Sequence, residues 1–263
     1  MAHLALGLVL LAGSLAAGSP LLRQDRDAVK KLTLDMASTA FDDQYEGCGR
    51  MMEEELEELN HTEFANNSVY AAAWTQAAKE WRSRQGREPR PLALRPEQAI
   101  ALLAYTLPGS LYETFNAAVR EAGRSRREYL ANFHFKALHF LLTQALRTLQ
   151  DSQPHRCHHV YRGVGKIRFA TQHGQLVRFG SFTSTSLRNE ITVSFGRDTT
   201  FSVETCHGIP IGDFSHFPRE EEVLIPPFEK FEVTNVTCDG GSSLIQLRSR
   251  GTFSNYNCEW VKG

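Results

Sequence analysis

The chain of 263 residues lacks an excess of either charge: 29 Lys and Arg face 30 Asp and Glu, a formal net charge of −1. That balance argues against a nucleic-acid protein, which carries a basic excess. Long hydrophobic runs are missing from the body. Its longest apolar stretches, around Ala99–Tyr105 and Ala137–Leu142, are too short to cross a bilayer. No G-x-G-x-x-G or G-x-x-x-x-G-K-[ST] loop occurs, so a nucleotide would have to be held by other means than a Rossmann or P-loop turn. The five cysteines, at 48, 157, 206, 238 and 258, include no C-x-x-C pair. Such spacing suits long-range disulfides better than zinc, and an odd count leaves one thiol free or externally paired. His155, Cys157, His158 and His159 are too close in sequence all to point inward, and no second ligand pair follows. They read as a strand entry, and no metal site is expected. The closing residues Asn257–Gly263 form no polar spacer with a hydrophobic tail, so a released product without a lipid anchor is expected.

What is present begins with a leader. Leu4 to Ala17 is almost continuously apolar, small residues follow at Gly18 and Ser19, and charge resumes at Arg23, Asp25 and Arg26. This pattern reads as a secretory signal peptide over residues 1–18, with one domain from 19 to 263. A buried N-terminal helix fits less well, because no face is polar and no cap precedes it. Asn60, Asn66 and Asn235 each open an N-x-[ST] triplet, a glycosylation signal in an extracellular protein.

The body has two textures, helical over about 24–150 and β-rich over about 157–260, which makes the fold class α+β. The run Glu53–Glu58 predicts a solvated helix face. Ser68 predicts a cap for a helix over Ala71–Trp81, and Pro96 opens another that ends at Pro108-Gly109. A third covers Leu111–Ala122, and Phe133, Leu138, Leu141, Ala145 and Leu149 predict one long amphipathic helix over Tyr129–Leu149. The basic knots Arg82–Arg90 and Arg124–Arg127 read as solvated loops. Strands are expected at His159–Val164, Ser181–Leu187, Thr199–Thr205, Glu221–Ile225, Phe228–Cys238 and Ser243–Phe253.

Three constellations stand out in the β half: Tyr161-Arg162-Gly163, Phe182-Thr-Ser-Thr-Ser186, and Glu220-Glu-Glu222 before Val-Leu-Ile-Pro-Pro227. Taken singly, each has an ordinary structural reading: a paired arginine, an edge strand, a solvated turn. Strand alternation would put Ser184 and Ser186 on one face, and Glu220 and Glu222 together with Glu221 opposite. Taken together and in this order, the three resemble the motif strands of the arginine-specific mono-ADP-ribosyltransferases. The resemblance extends over essentially the whole chain, and is nearest to the secreted vertebrate ecto-enzymes.

That resemblance implies a helical half packed on a β-rich core of two small sheets, NAD as co-substrate, and arginine-bearing proteins or small guanidino compounds as acceptors. It implies Glu222 as the carboxylate that stabilises an oxocarbenium-like centre, with Ser184 positioning Glu222 and the nicotinamide ribose. Arg162, beside Gly163, would hold the pyrophosphate. Phe195 would pack on nicotinamide, and Tyr105 and Ser215 would line the same pocket. Glu220 would orient the acceptor guanidinium and help accept its proton, with Phe214–Arg219 as the acceptor loop whose aromatics flank the target. It also implies the disulfides Cys48–Cys258 and Cys157–Cys206, leaving Cys238 as the odd thiol. Two alternatives remain open: a predominantly NAD glycohydrolase using the same site, and a catalytically silent extracellular binding module.

Overall fold

The computed structural model describes residues 29–85, 93–191 and 195–262; the expected leader lies outside them. Six helices are present among these residues: α1 (Gly49–Asn66), α2 (Ser68–Gln85), α3 (Pro96–Thr106), α4 (Leu111–Ala122), α5 (Arg126–Asn132) and α6 (Lys136–Asp151). The strands are β1 (Lys30–Thr33), β2 (His158–Val164), β3 (Ile167–Ala170), β4 (Leu176–Val177), β5 (Thr183–Ser186), β6 (Thr199–Thr205), β7 (Ile209–Pro210), β8 (Glu222–Ile225), β9 (Glu229–Asp239) and β10 (Ser242–Thr252). The fold is α+β, and its two sheets are unequal. Eight strands run in the order β4-β9-β10-β6-β2-β5-β8-β7, while β1 and β3 form a separate parallel pair.

Period-two burial explains the strands. Thr199, Phe201, Val203 and Thr205 of β6 are buried, and the residues between them are half-exposed, so one face packs inward. Gly240 and Gly241 both take positive φ, which lets β9 turn straight back into β10. One core joins the helices to the sheet through Phe182, Ile209 and Leu224. A second core lies around Val160, Phe201, Phe231 and Ile245.

Several sequence expectations are corrected here. The span Tyr129–Leu149 is two helices, because Phe133 leaves the helical region with φ −88° and ψ 92°. The carboxylate of Glu63, on α1, accepts from the backbone N–H groups of Lys136 at 2.7 Å and Ala137 at 3.0 Å, and so starts α6 afresh. Asn67, not Ser68, caps α2, accepting from the Tyr70 N–H at 3.1 Å. Arg82 lies within α2, and Arg126 and Arg127 open α5, so both basic knots are partly helical. β1 lies inside the span read as helical, and pairs with β3 across more than 130 residues of chain.

Cys48–Cys258 and Cys157–Cys206 are both bonded, and Cys238 is free and exposed. The first bond sits in a wider clasp. The carboxylates of Asp42 and Asp43 accept from the backbone N–H groups of Asn255, Tyr256, Cys258 and Glu259 at 2.9–3.1 Å. Asp42 also pairs with the fully buried Arg178 at 2.5 Å.

Candidate active site

A cavity of about 550 Å³ opens between the helical layer and the sheet, a size suited to a small-molecule ligand. One wall is the end of α3, the loop Thr106–Gly109 and the start of α4. The opposite wall is β2 with its following turn, β5, and the segment from Phe217 to Glu222. Tyr105, Arg162, Gly163, Ser184, Phe195, Glu220 and Glu222 all line it; Ser215 does not.

Arg162 is pinned. Its Nη1 donates to the Ser184 carbonyl at 2.6 Å and its Nη2 to the Tyr112 hydroxyl at 2.9 Å. Tyr112 is a site residue that sequence motifs missed, since nothing on α4 marks it apart from an ordinary amphipathic face. Tyr105 is wholly buried. Its hydroxyl donates to the Phe182 carbonyl at 2.9 Å and accepts from the Asn116 amide at 3.0 Å.

Glu222, the first residue of β8, is only 6% exposed. Burial pushes its carboxyl above the ordinary carboxylate range, while hydrogen bonds from Ser184 and Ser215 pull it back and the nearby Glu220 charge adds to the rise. The Ser215 hydroxyl donates to Glu222 at 3.1 Å from a fully buried position behind it. Ser215 therefore touches the carboxylate and stands off the cavity wall.

Glu220 does reach the cavity, but not by strand alternation. It ends a 3-10 turn over Pro218–Glu220, and Glu221 adopts left-handed backbone at φ 47° before β8 begins. That kink brings Glu220 and Glu222 to one cavity with Glu221 turned out to solvent. Glu220 is half-exposed, and partial burial lifts its carboxyl as well. The Ser186 hydroxyl fixes its carbonyl at 2.6 Å.

The aromatics of the expected acceptor loop divide. Phe214 is buried against Trp81 of α2, with ring centroids 6.1 Å apart, whereas Phe217 is 42% exposed at the cavity. Phe195, 56% exposed, lines the same cavity. Its carbonyl accepts from the Gly165 N–H at 3.1 Å, and Gly196 packs so closely on Gly165 that a Cβ there would lie 2.1 Å from backbone.

The family model for NAD:arginine ADP-ribosyltransferases matches residues 34–255. The chain belongs to that family. It is 55% identical over 260 residues to the chicken erythroblast NAD(P)(+)--arginine ADP-ribosyltransferase, covering 99% of this chain and 86% of the relative. The human GPI-linked NAD(P)(+)--arginine ADP-ribosyltransferase 1 is 49% identical, with 94% and 80% covered. The crystal structure of the mono-ADP-ribosyltransferase ART2.2 superposes with a TM-score of 0.75 at 40% identity, covering 86% of this chain and 98% of that one. A variant of ART2.2 solved with NAD matches equally well. Like other members, this ADP-ribosyltransferase is a transferase that consumes NAD as a co-substrate. Among the described residues no helix is long and apolar enough to cross a membrane.

Proposed function

We propose that Arg162, Ser184, Glu220 and Glu222 carry the transfer of ADP-ribose from NAD to arginine guanidinium groups of extracellular proteins. The observation that carries this reading is the pair of carboxylates at one cavity, one buried and hydroxyl-bonded, the other half-exposed. The bond between nicotinamide and ribose C1′ breaks, nicotinamide leaves with the bonding pair as a neutral molecule, and positive charge develops on the ribose. A buried carboxylate at Glu222 favours that charge more in the transition state than in the ground state. The guanidinium nitrogen then bonds to C1′ and loses a proton. An arginine side chain holds its protons to a pKa above about 12, so an oriented acceptor at Glu220 is needed for that loss. Arg162 keeps its remaining N–H groups for the pyrophosphate, its fork held by Ser184 and Tyr112. Tyr105, Gly163 and Phe195 serve the dinucleotide as cavity wall, and Ser215 serves it through Glu222. The relatives' names give NAD(P)(+), and either dinucleotide is a donor in this reading.

The catalytic unit in this reading runs from residue 19 to 263, after removal of the leader. Secretion is supported by the apolar stretch before Gly18 and by the two disulfides, which persist in oxidising compartments.

The deciding assay gives the secreted protein NAD with and without excess agmatine and follows both products. ADP-ribosyl-agmatine should dominate. Glu222→Gln should lower nicotinamide release by about a thousandfold, and Glu220→Gln should abolish arginine transfer while some NAD cleavage survives. Free ADP-ribose unchanged by agmatine would make the protein a glycohydrolase. Activity that survives Glu222→Gln would remove that residue from the centre.

A further inference from the structure

The segment that leads into Glu220 is held from outside the cavity, by one turn of α2. Glu80 sits between Arg84 and His216: its carboxylate lies 2.6 Å from Arg84 Nη2 and 3.2 Å from His216 Nδ1. The other end of Arg84 donates through Nη1 to the Ser215 carbonyl at 3.1 Å. Trp81, on the same turn, stacks on Phe214, and the Thr106 hydroxyl accepts from the His216 N–H at 2.9 Å. Every residue from Phe214 to His216 is thus tied to the helical layer, whereas Phe217, Pro218 and Arg219 are exposed.

The two carboxylates differ in what holds them. Glu222 belongs to the sheet: it lies opposite Ser186 in the β5–β8 ladder, and its carbonyl accepts from the Ile211 N–H at 2.9 Å. Glu220 lies outside the ladder, in the turn, with Ser186 at its carbonyl and the Phe217 carbonyl accepting from its N–H at 3.0 Å. Slack in the Phe214–His216 anchor therefore runs along the chain into Phe217 and Glu220, whereas Glu222, held in the ladder, feels it only through the Ser215 hydroxyl.

We propose that Glu80 is a positioning residue for the acceptor step: by gripping Arg84 and His216 it sets the Phe214–Arg219 segment, and with it the share of ADP-ribose that goes to guanidinium instead of water. This rests on the reading that Glu220 serves the acceptor. Glu80 touches neither substrate nor reacting atoms; it acts through a loop it does not belong to.

The test compares wild type with Glu80→Gln, which keeps hydrogen-bonding capacity but drops the charge, and with Glu80→Ala, which removes both. Nicotinamide release and ADP-ribosyl-agmatine are followed across agmatine concentrations at saturating NAD. Glu80→Ala should raise the agmatine KM about fivefold or more and increase the hydrolysed fraction, with Glu80→Gln between it and wild type. Acceptor-free NAD cleavage and the NAD KM should stay within about twofold, a split that general loosening of the fold would not produce. An unchanged agmatine KM and product ratio would overturn the proposal, and so would a parallel fall in acceptor-free cleavage. If Glu80→Ala does not fold, Glu80→Gln carries the same comparison. Glu220→Gln run alongside separates the failures. Transfer that survives Glu220→Gln sinks the acceptor reading itself, whereas transfer lost there but insensitive to Glu80 sinks only the brace.

Discussion

Two hydroxyl groups oppose what burial does to the charge on Glu222. Burial alone raises its carboxyl above the ordinary range, and the donors at Ser184 and Ser215 favour the ionised form that the proposed chemistry uses. In the proposed reading, activity carried by the Glu222 anion rises with pH along an acidic limb. Removing a donor to the charged form raises the pKa further. In Ser215→Ala the acidic limb of kcat/KM for acceptor-free NAD cleavage should move to higher pH by about one unit; a limb that stays put, or moves down, would disprove the coupling. Ser215 also marks what sequence could carry at this scale. The meeting of Arg162, Ser184 and Glu222 at one cavity was legible, because side-chain type and motif order single them out. The place of Tyr112 depends on its contact with Arg162 of β2, far along the chain, and that of Ser215 on the turns between it and β8, and no local pattern encodes those.

At the scale of elements, the break between α5 and α6 is the instructive case. Apolar spacing runs unbroken through Phe133 and Leu138, so the sequence reads as one helix. The interruption comes from Glu63, some seventy residues earlier, whose carboxylate satisfies the first N–H groups of α6. β1 escaped notice for a related reason: four residues acquire strand character only from their pairing with β3. β6, β9 and β10 were legible because their own alternation fixes which face is buried. Glu63 also leads to a test. Burial outweighs its N–H partners and lifts it from 4.5 to about 7, so the folded chain binds a proton there that the unfolded chain releases. That contribution to stability is complete below about pH 4.5 and is lost as pH rises through about 7. Wild type should therefore lose up to about 3 kcal/mol relative to Glu63→Gln between pH 5 and 8. Urea unfolding of both proteins across that range checks it, and parallel pH profiles would exclude the effect.

For the whole molecule, Cys48–Cys258 closes a loop with a sequence separation of 210 residues and Cys157–Cys206 one of 49. In the chain-entropy account the longer loop removes more unfolded-state freedom, by about 1 kcal/mol. Replacing Cys48 and Cys258 together by Ala should lower stability by about 2–5 kcal/mol yet leave the native arrangement intact. The Asp42 and Asp43 clasp holds the same two segments by hydrogen bonds alone. Denaturant unfolding under non-reducing conditions measures the loss, and unchanged stability would assign the whole effect to the clasp.

The clasp has a further meaning when the chain is followed in time. Residues 42–48 leave the ribosome early, yet their hydrogen-bond partners and the sulfur that completes Cys48 come from residues 254–259. At about 5–20 residues per second, Cys48 waits roughly 10–40 seconds for Cys258, and both Cys157 and Cys206 emerge during the wait. The first part of the domain to be made is thus among the last to be finished, and correct pairing depends on keeping an early thiol unspent until Cys258 has been made.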